Sequence, residues 1–143
     1  MTWHIGELLI QKKLISWQQL EEALDEQKKT KEMTGQILVR KGYLSESLLY
    51  KTLAEQNRTR FVDLKRTRIN PKAVEMVPKN FAQKHSVMPI EFHGGRLTVG
   101  IPNPMHIWPK SELEKIPMIQ GIQTVLCLPK DVEMSINQYY DGD

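Results

Sequence analysis

Apolar residues over the first sixty positions come in short bursts with helical spacing, and the bursts come twice. Ile5, Leu8, Leu9 and Ile10 form one face of a short helix that stops near Lys13, before an apolar elbow at Leu14 and Ile15. Ser16 then reads as an N-cap with Gln19 as its capping-box partner, since each side chain satisfies the other residue's unpaired backbone donor. Leu20, Ala23, Leu24 and Gln27 follow at i, i+3, i+4 and i+7, the inner stripe of a second helix. A shift of 29 positions lays residues 4–27 on residues 33–56 with 8 of 24 pairs identical, among them Gly6/Gly35, Leu9/Leu38, Lys12/Lys41, Glu26/Glu55 and Gln27/Gln56. The second copy therefore predicts the same hairpin, with Gly42 closing its first helix, Leu44 in the elbow and Ser45 as cap. Leu49, Leu53 and Gln56 carry its inner face. Only residues 28–32 separate the copies, so the two hairpins must pack side by side. A glutamine where the leucine stripe should continue is the odd residue. It either caps its own helix or, since it returns at the same phase in both copies, serves a shared polar role.

The texture changes after the FVDL stretch at 61–64. Asn70 and Pro71 start a helix, since proline suits the first helical position, and Pro78 interrupts it before a second segment runs to Lys84. Residues 87–92 and 96–101 alternate as strands, with His93, Gly94 and Gly95 as the hairpin turn between them. Pro102, Asn103 and Pro104 make a loop. Residues 110–116 predict a short helix ended by Pro117, and residues 122–128 a third strand. Pro129 opens a final helix to about Tyr140. The expected fold class is α+β. Tandem helical hairpins occupy a subdomain over 1–64, and a small αββαβα subdomain over 65–143 completes one domain.

Composition narrows the function classes. At 143 residues, 40% hydrophobic and 26% charged, the chain has the size and balance of one ordinary globular domain or two small subdomains. Its apolar runs are too short to span a membrane. The opening MTWHIGELLI lacks the basic region and long apolar stretch of a signal peptide, which predicts a cytoplasmic protein. Cys127 has no second cysteine to pair with and lies in the apolar run TVLCL, as a buried structural thiol would. The net charge of +3 is mild, with a local cluster of Arg58, Arg60, Lys65, Arg66 and Arg68 that is either a solvated surface or a contact for phosphates or an acidic partner. No aromatic stacking pattern accompanies it, so nucleic acid is not an expected partner.

Catalytic patterns are absent from the sequence: no GxxxxGK[ST], HExxH, CxxC or GxSxG. His4, His85, His93 and His106 lack ligand spacing, so no metal site is expected. Glu21, Glu22, Asp25 and Glu26 read as the solvated face of one helix, paired with lysines. No enzyme activity is expected.

The duplicated motif resembles the MshEN domain, the N-terminal domain of type II secretion and type IV pilus assembly ATPases. That family carries two motifs of the form RLGxxLxxxGxxxxxxLxxxLxxQ. Ile5, Gly6, Leu9, Leu20, Leu24 and Gln27 match in the first copy; Gly35, Leu38, Gly42, Leu49, Leu53 and Gln56 match in the second. FVDL, the block VMPIEFHGGRLTVGIPNP and the ending INQYY are similar to the family as well. The resemblance implies a non-catalytic regulatory domain that binds cyclic di-GMP, one motif for each half of the ligand, with a secretion or pilus ATPase and its membrane-platform proteins as protein partners. The ligand-binding positions it implies are His4, Ile5, Gly6, Leu9, Leu20, Leu24 and Gln27 in copy one. In copy two they are Met33, Thr34, Gly35, Leu38, Leu49, Leu53 and Gln56, with Asn103 further along. The glycines would admit close backbone approach and N–H donors, the leucines an apolar floor for the purines, and the glutamines a donor and an acceptor for a guanine edge. The chain departs from the family at His4, at Met33-Thr34, at Lys13 in place of the mid-motif glycine, and at Asn103-Pro104 in place of Asp-Pro. The alternative is a degenerate docking module that no longer binds nucleotide, with the basic cluster and Trp3, Trp17 and Trp108 as contacts.

Overall fold

Both predicted hairpins form, and they are built alike. In the computed structural model, which describes residues 5–140, α1 (Ile5–Gln11) and α2 (Trp17–Thr30) make the first. The second consists of α3 (Thr34–Arg40) and α4 (Glu46–Gln56). Ser16 caps α2: its hydroxyl accepts the Gln19 N–H at 3.1 Å and the Gln19 side chain accepts the Ser16 N–H at 2.9 Å. Ser45 caps α4 by accepting the Leu48 N–H at 3.2 Å. The ends of α1 and α3 are also duplicates. Leu14 N–H donates to the Leu9 carbonyl at 2.9 Å and Lys13 N–H to that of Ile10 at 2.9 Å; Tyr43 N–H donates to Leu38 and Gly42 N–H to Val39, both at 3.0 Å. This is the Schellman closure, whose crown residue must be left-handed. Gly42 sits there with φ 81°, and Lys13 is forced into the same region with φ 62°.

The first compact unit comprises Met1–Arg58. Within it α1 packs on α4, α2 on α3, and α1 meets α3. Exchanging the two copies turns the first contact into the second and leaves the third unchanged, so a local two-fold relates the hairpins, an isologous arrangement inside one chain. Leu9, Leu20, Ala23, Ile37, Leu38 and Leu49 are buried. One expected core position is not. Leu24 is 41% exposed although it continues the apolar stripe. Its helix packs on the seven-residue α3, and only Leu20 and Ala23 of α2 are buried.

The second unit, Thr59–Asp143, contains α5 (Pro71–Met76), α6 (Lys79–His85), β1 (Met88–His93), β2 (Arg96–Ile101), α7 (Lys110–Glu114), β3 (Gly121–Leu126) and α8 (Pro129–Tyr140). The order is the predicted αββαβα with its leading helix split at Pro78. The sheet runs β1-β2-β3, antiparallel across the first pair and parallel across the second, with α7 in the crossover that parallel pairing requires. Gly94 and Gly95, with φ 58° and 82°, supply the two left-handed residues of the hairpin turn. Leu97, Val99, Val125 and Leu126 are fully buried beneath the helices.

Residues 59–64, which the sequence groups with the repeat, are tied to this unit. Val62 N–H donates to the Leu126 carbonyl and Leu126 N–H to that of Arg60, both at 2.9 Å, so the segment pairs with the free edge of β3 and blunts it. Cys127 is fully buried. Burial, followed by the charges of Asp131 and Asp63 and opposed by Arg60, pushes its thiol up to about 12, that of an inert structural cysteine. Asp131, also buried, lies in the first turn of α8, where the positive helix end favours a carboxylate, 3.7 Å from Lys65 Nζ. Tyr140 donates its hydroxyl to the Val77 carbonyl at 2.7 Å, fastening α8 to the end of α5, and burial pushes its phenol far up. No described helix is long and apolar enough to cross a membrane.

Candidate functional site

The motif residues of the first unit sort into a buried set that shapes the hairpins and an accessible set. A Cβ built on Gly6 would lie 2.6 Å from Leu20 Cδ1, and one on Gly35 would lie 2.7 Å from Leu49 Cδ1. Each motif glycine therefore makes room for the motif leucine 14 positions on in its own hairpin, at equivalent positions in the two copies. Leu9 and Leu38 are wholly enclosed. The accessible set is Ile5, half-buried at the start of α1, with Leu24 and the half-buried Gln27 in copy one. In copy two it is Met33, which is 73% exposed at the N-cap of α3, with the half-buried Thr34, Leu53 and Gln56. Gln27 and Gln56 stand at equivalent places, one near the end of α2 and the other closing α4. His4 lies outside the described residues. Asn103 belongs to the second unit, exposed in a turn where its side chain accepts the Met105 N–H at 2.9 Å.

A further set of repeat residues joins the copies. Lys12 Nζ lies 2.6 Å from Glu55 Oε2, and Lys41 Nζ lies 3.5 Å from Glu26 Oε2. Each pair runs from one copy to the other, and the two are exchanged by the local two-fold. The signal was present: Lys12/Lys41 and Glu26/Glu55 are among the eight identical pairs of the repeat. Arg40 adds contacts to Glu26 at 3.1 Å and Glu32 at 2.9 Å. Burial raises the Glu26 carboxyl, but the hydrogen bond and charge of Arg40, with Lys41, outweigh it and hold the group below its ordinary value of 4.5. Glu22, read as a solvated carboxylate, accepts the Tyr43 hydroxyl at 2.5 Å, a bond that raises the phenol.

The basic cluster divides. Arg58 ends the first unit, while Arg60, Arg66 and Arg68 line a cleft of about 700 Å³ in the second with Phe61, Ile69 and Ile90; none of the candidate ligand residues lines it. Trp17 is 63% exposed, whereas Trp108 is half-buried against the core with Phe81 at 6.2 Å, and Trp3 lies outside the described residues. Among the described residues no three His, Cys, Asp or Glu side chains are grouped to hold a metal ion. His106 Nε2 instead sits 2.6 Å from the His85 carbonyl.

Comparison with known proteins adds the following. The family model of the MshEN domain matches residues 57–143. A type IV pilus assembly ATPase PilB of Myxococcus xanthus is 34% identical over 140 residues, covering 98% of this chain and 25% of the relative. The PilB of Thermus thermophilus is 42% identical over 103 residues, 71% of this chain and 12% of the relative. The chain thus spans about a quarter or less of the length of these relatives. Among solved structures, that of MshE with cdg superposes with a TM-score of 0.75 at 27% identity, over 96% of this chain and 99% of the other.

Proposed function

The chain belongs to the MshEN domain family, and from that premise we propose that it is a non-catalytic regulatory domain that binds cyclic di-GMP. The observation that carries this reading is the local two-fold of the first unit. Equivalent accessible residues of two copies, Leu24 and Gln27 with Leu53 and Gln56, are held in reciprocal positions by reciprocal contacts. A ligand made of two identical halves, two guanines on a two-phosphate ring, fits such an arrangement with one motif per half. The likeness to the solved MshE with cdg supports the ligand's identity.

In this reading Gln27 and Gln56 each pair with a guanine edge, where a carboxamide offers both a donor and an acceptor. Leu24 and Leu53 give the purine faces apolar contact, Ile5, Met33 and Thr34 flank the entry, and His4 is included by its place in the motif alone. Gly6, Gly35, Leu9, Leu38, Leu20 and Leu49 act from beneath, by fixing the hairpin geometry that presents the others. Asn103, in the second unit, is carried over from the family resemblance only, with no role in the site of the first unit. The two units together form one MshEN domain at the N-terminal side of an ATPase of the type IV pilus or type II secretion kind, on the cytoplasmic face, where ligand binding regulates the motor or its contact with membrane-platform proteins.

Base discrimination tests the proposal. Adenine carries an amino donor where guanine has the O6 acceptor, so a site built for guanine leaves polar groups unpaired with cyclic di-AMP. Cyclic di-GMP is expected to bind more tightly than cyclic di-AMP, GTP or GMP in a competition titration. Gln27→Ala and Gln56→Ala are each expected to weaken binding by about 1–3 kcal/mol. Equal affinity for the two cyclic dinucleotides would overturn guanine recognition, and no binding of either would leave a docking module in its place.

A further inference from the structure

We infer that Lys12, Lys41, Glu26 and Glu55 are positioning residues, which hold the two half-sites at a fixed separation by clamping each motif's glutamine-bearing helix to the other repeat. Each lysine occupies the C-cap of a short helix, one residue before the left-handed crown, where the closure is rigid and a cation suits the negative helix end. Each glutamate directly precedes a motif glutamine. Consecutive Cα atoms are about 3.8 Å apart, so a clamp on Glu55 fixes where Gln56 stands, and a clamp on Glu26 fixes Gln27. Both pairs cross the two-fold, Lys12 to Glu55 at 2.6 Å and Lys41 to Glu26 at 3.5 Å. Their side chains keep 35% and 59% exposure in one pair, 29% and 28% in the other. Exposed pairs of this kind add little to global stability, so their effect is on local geometry.

The clamps are unequal. Arg40 also grips Glu26 at 3.1 Å, while the position equivalent to Arg40 in the first copy is the uncharged Gln11. Among the described residues Glu26 therefore meets two cations, and Glu55 meets Lys12. Loss of Lys41 leaves Arg40 on α2, so Lys12 is the more sensitive member.

The cyclic di-GMP arm of the test rests on the proposed function; the exchange arm does not. In amide hydrogen exchange on the whole chain, Lys12→Met is expected to speed exchange over residues 53–57 by about 1.5- to 5-fold, the range set by an exposed pair, leaving residues 24–30 unchanged. Lys41→Met acts on residues 24–30 and more weakly. The charge-swapped double variant Lys12→Glu with Glu55→Lys brings exchange at 53–57 back towards the wild-type rate, short of it by the cost of a carboxylate at the end of α1. Cyclic di-GMP affinity should fall by a similar factor in Lys12→Met, with the thermal midpoint unmoved, and return in the swap. Unchanged exchange at 53–57, or a change confined to residues 5–13, would overturn the clamp. Wild-type chain that binds no cyclic di-GMP would sink the ligand reading, and the exchange pattern would still decide the clamp.

Discussion

At the crown that closes α1, Lys13 holds a left-handed backbone that a glycine holds at lower cost. Its departure from the family glycine stands out in the sequence, but the backbone supplies the cause: the Schellman crown needs positive φ, which Gly42 adopts freely at 81° and Lys13 adopts at 62°. Left-handed geometry costs a residue with a Cβ about 1–2 kcal/mol. Lys13→Gly should therefore raise stability by about 1 kcal/mol in a denaturant titration, and Gly42→Ala should lower it by a similar amount. The motif glycines at 6 and 35 behave differently, since Leu20 and Leu49 occupy their Cβ space. Gly35→Ala must displace the Leu49 side chain and should cost about 1–3 kcal/mol, as overpacking does. The recurrence marked both glycines as special, and the resemblance implied a ligand role for them; that a leucine side chain fills their Cβ space shows only once the hairpins are packed. Cys127 was legible from its apolar surroundings. With its thiol pushed up to about 12 by burial, it should resist thiol reagents at pH 8 and react once the chain is unfolded, which a timed labelling experiment reads directly.

At the level of elements, the caps and turns were legible because each is decided within a few residues. Ser16 with Gln19, Ser45, Asn70 before Pro71, and Gly94-Gly95 all stand where the sequence placed them. Leu24 was not legible, since the width of a buried stripe depends on the size of the helix packed against it. The inter-repeat ion pairs were hidden for a related reason: lysines and glutamates on helix surfaces look solvated until tertiary packing brings them together. Their pH dependence follows from Glu26. Its folded carboxyl lies below the ordinary 4.5, so the stability it contributes is fully present above that value and is lost as pH falls through the lower folded one. By carboxyl NMR, Glu26 is expected to titrate below 4.5 in the wild type and closer to it in Arg40→Gln. The same midpoint in both proteins would show that Arg40 does not hold it down.

At the scale of the molecule, the α+β class and the element order were open to sequence reading because a 29-residue self-similarity and a strand–glycine–glycine–strand pattern are both strong periodic signals. Where the segment 59–64 attaches was not, since its hydrogen bonds go to Leu126 and Thr124, more than sixty residues along the chain. The family model covers residues 57–143, mostly the second unit, while the residues proposed to read the ligand lie in the first. The central claim concerns that first unit: its duplicated hairpins, related by a local two-fold, take one two-fold ligand. Isothermal titration of the whole chain with cyclic di-GMP tests it most directly. The account predicts saturable binding of one cyclic di-GMP per chain, weakened by loss of either Gln27 or Gln56. Absence of binding, or binding untouched by both substitutions, would contradict it.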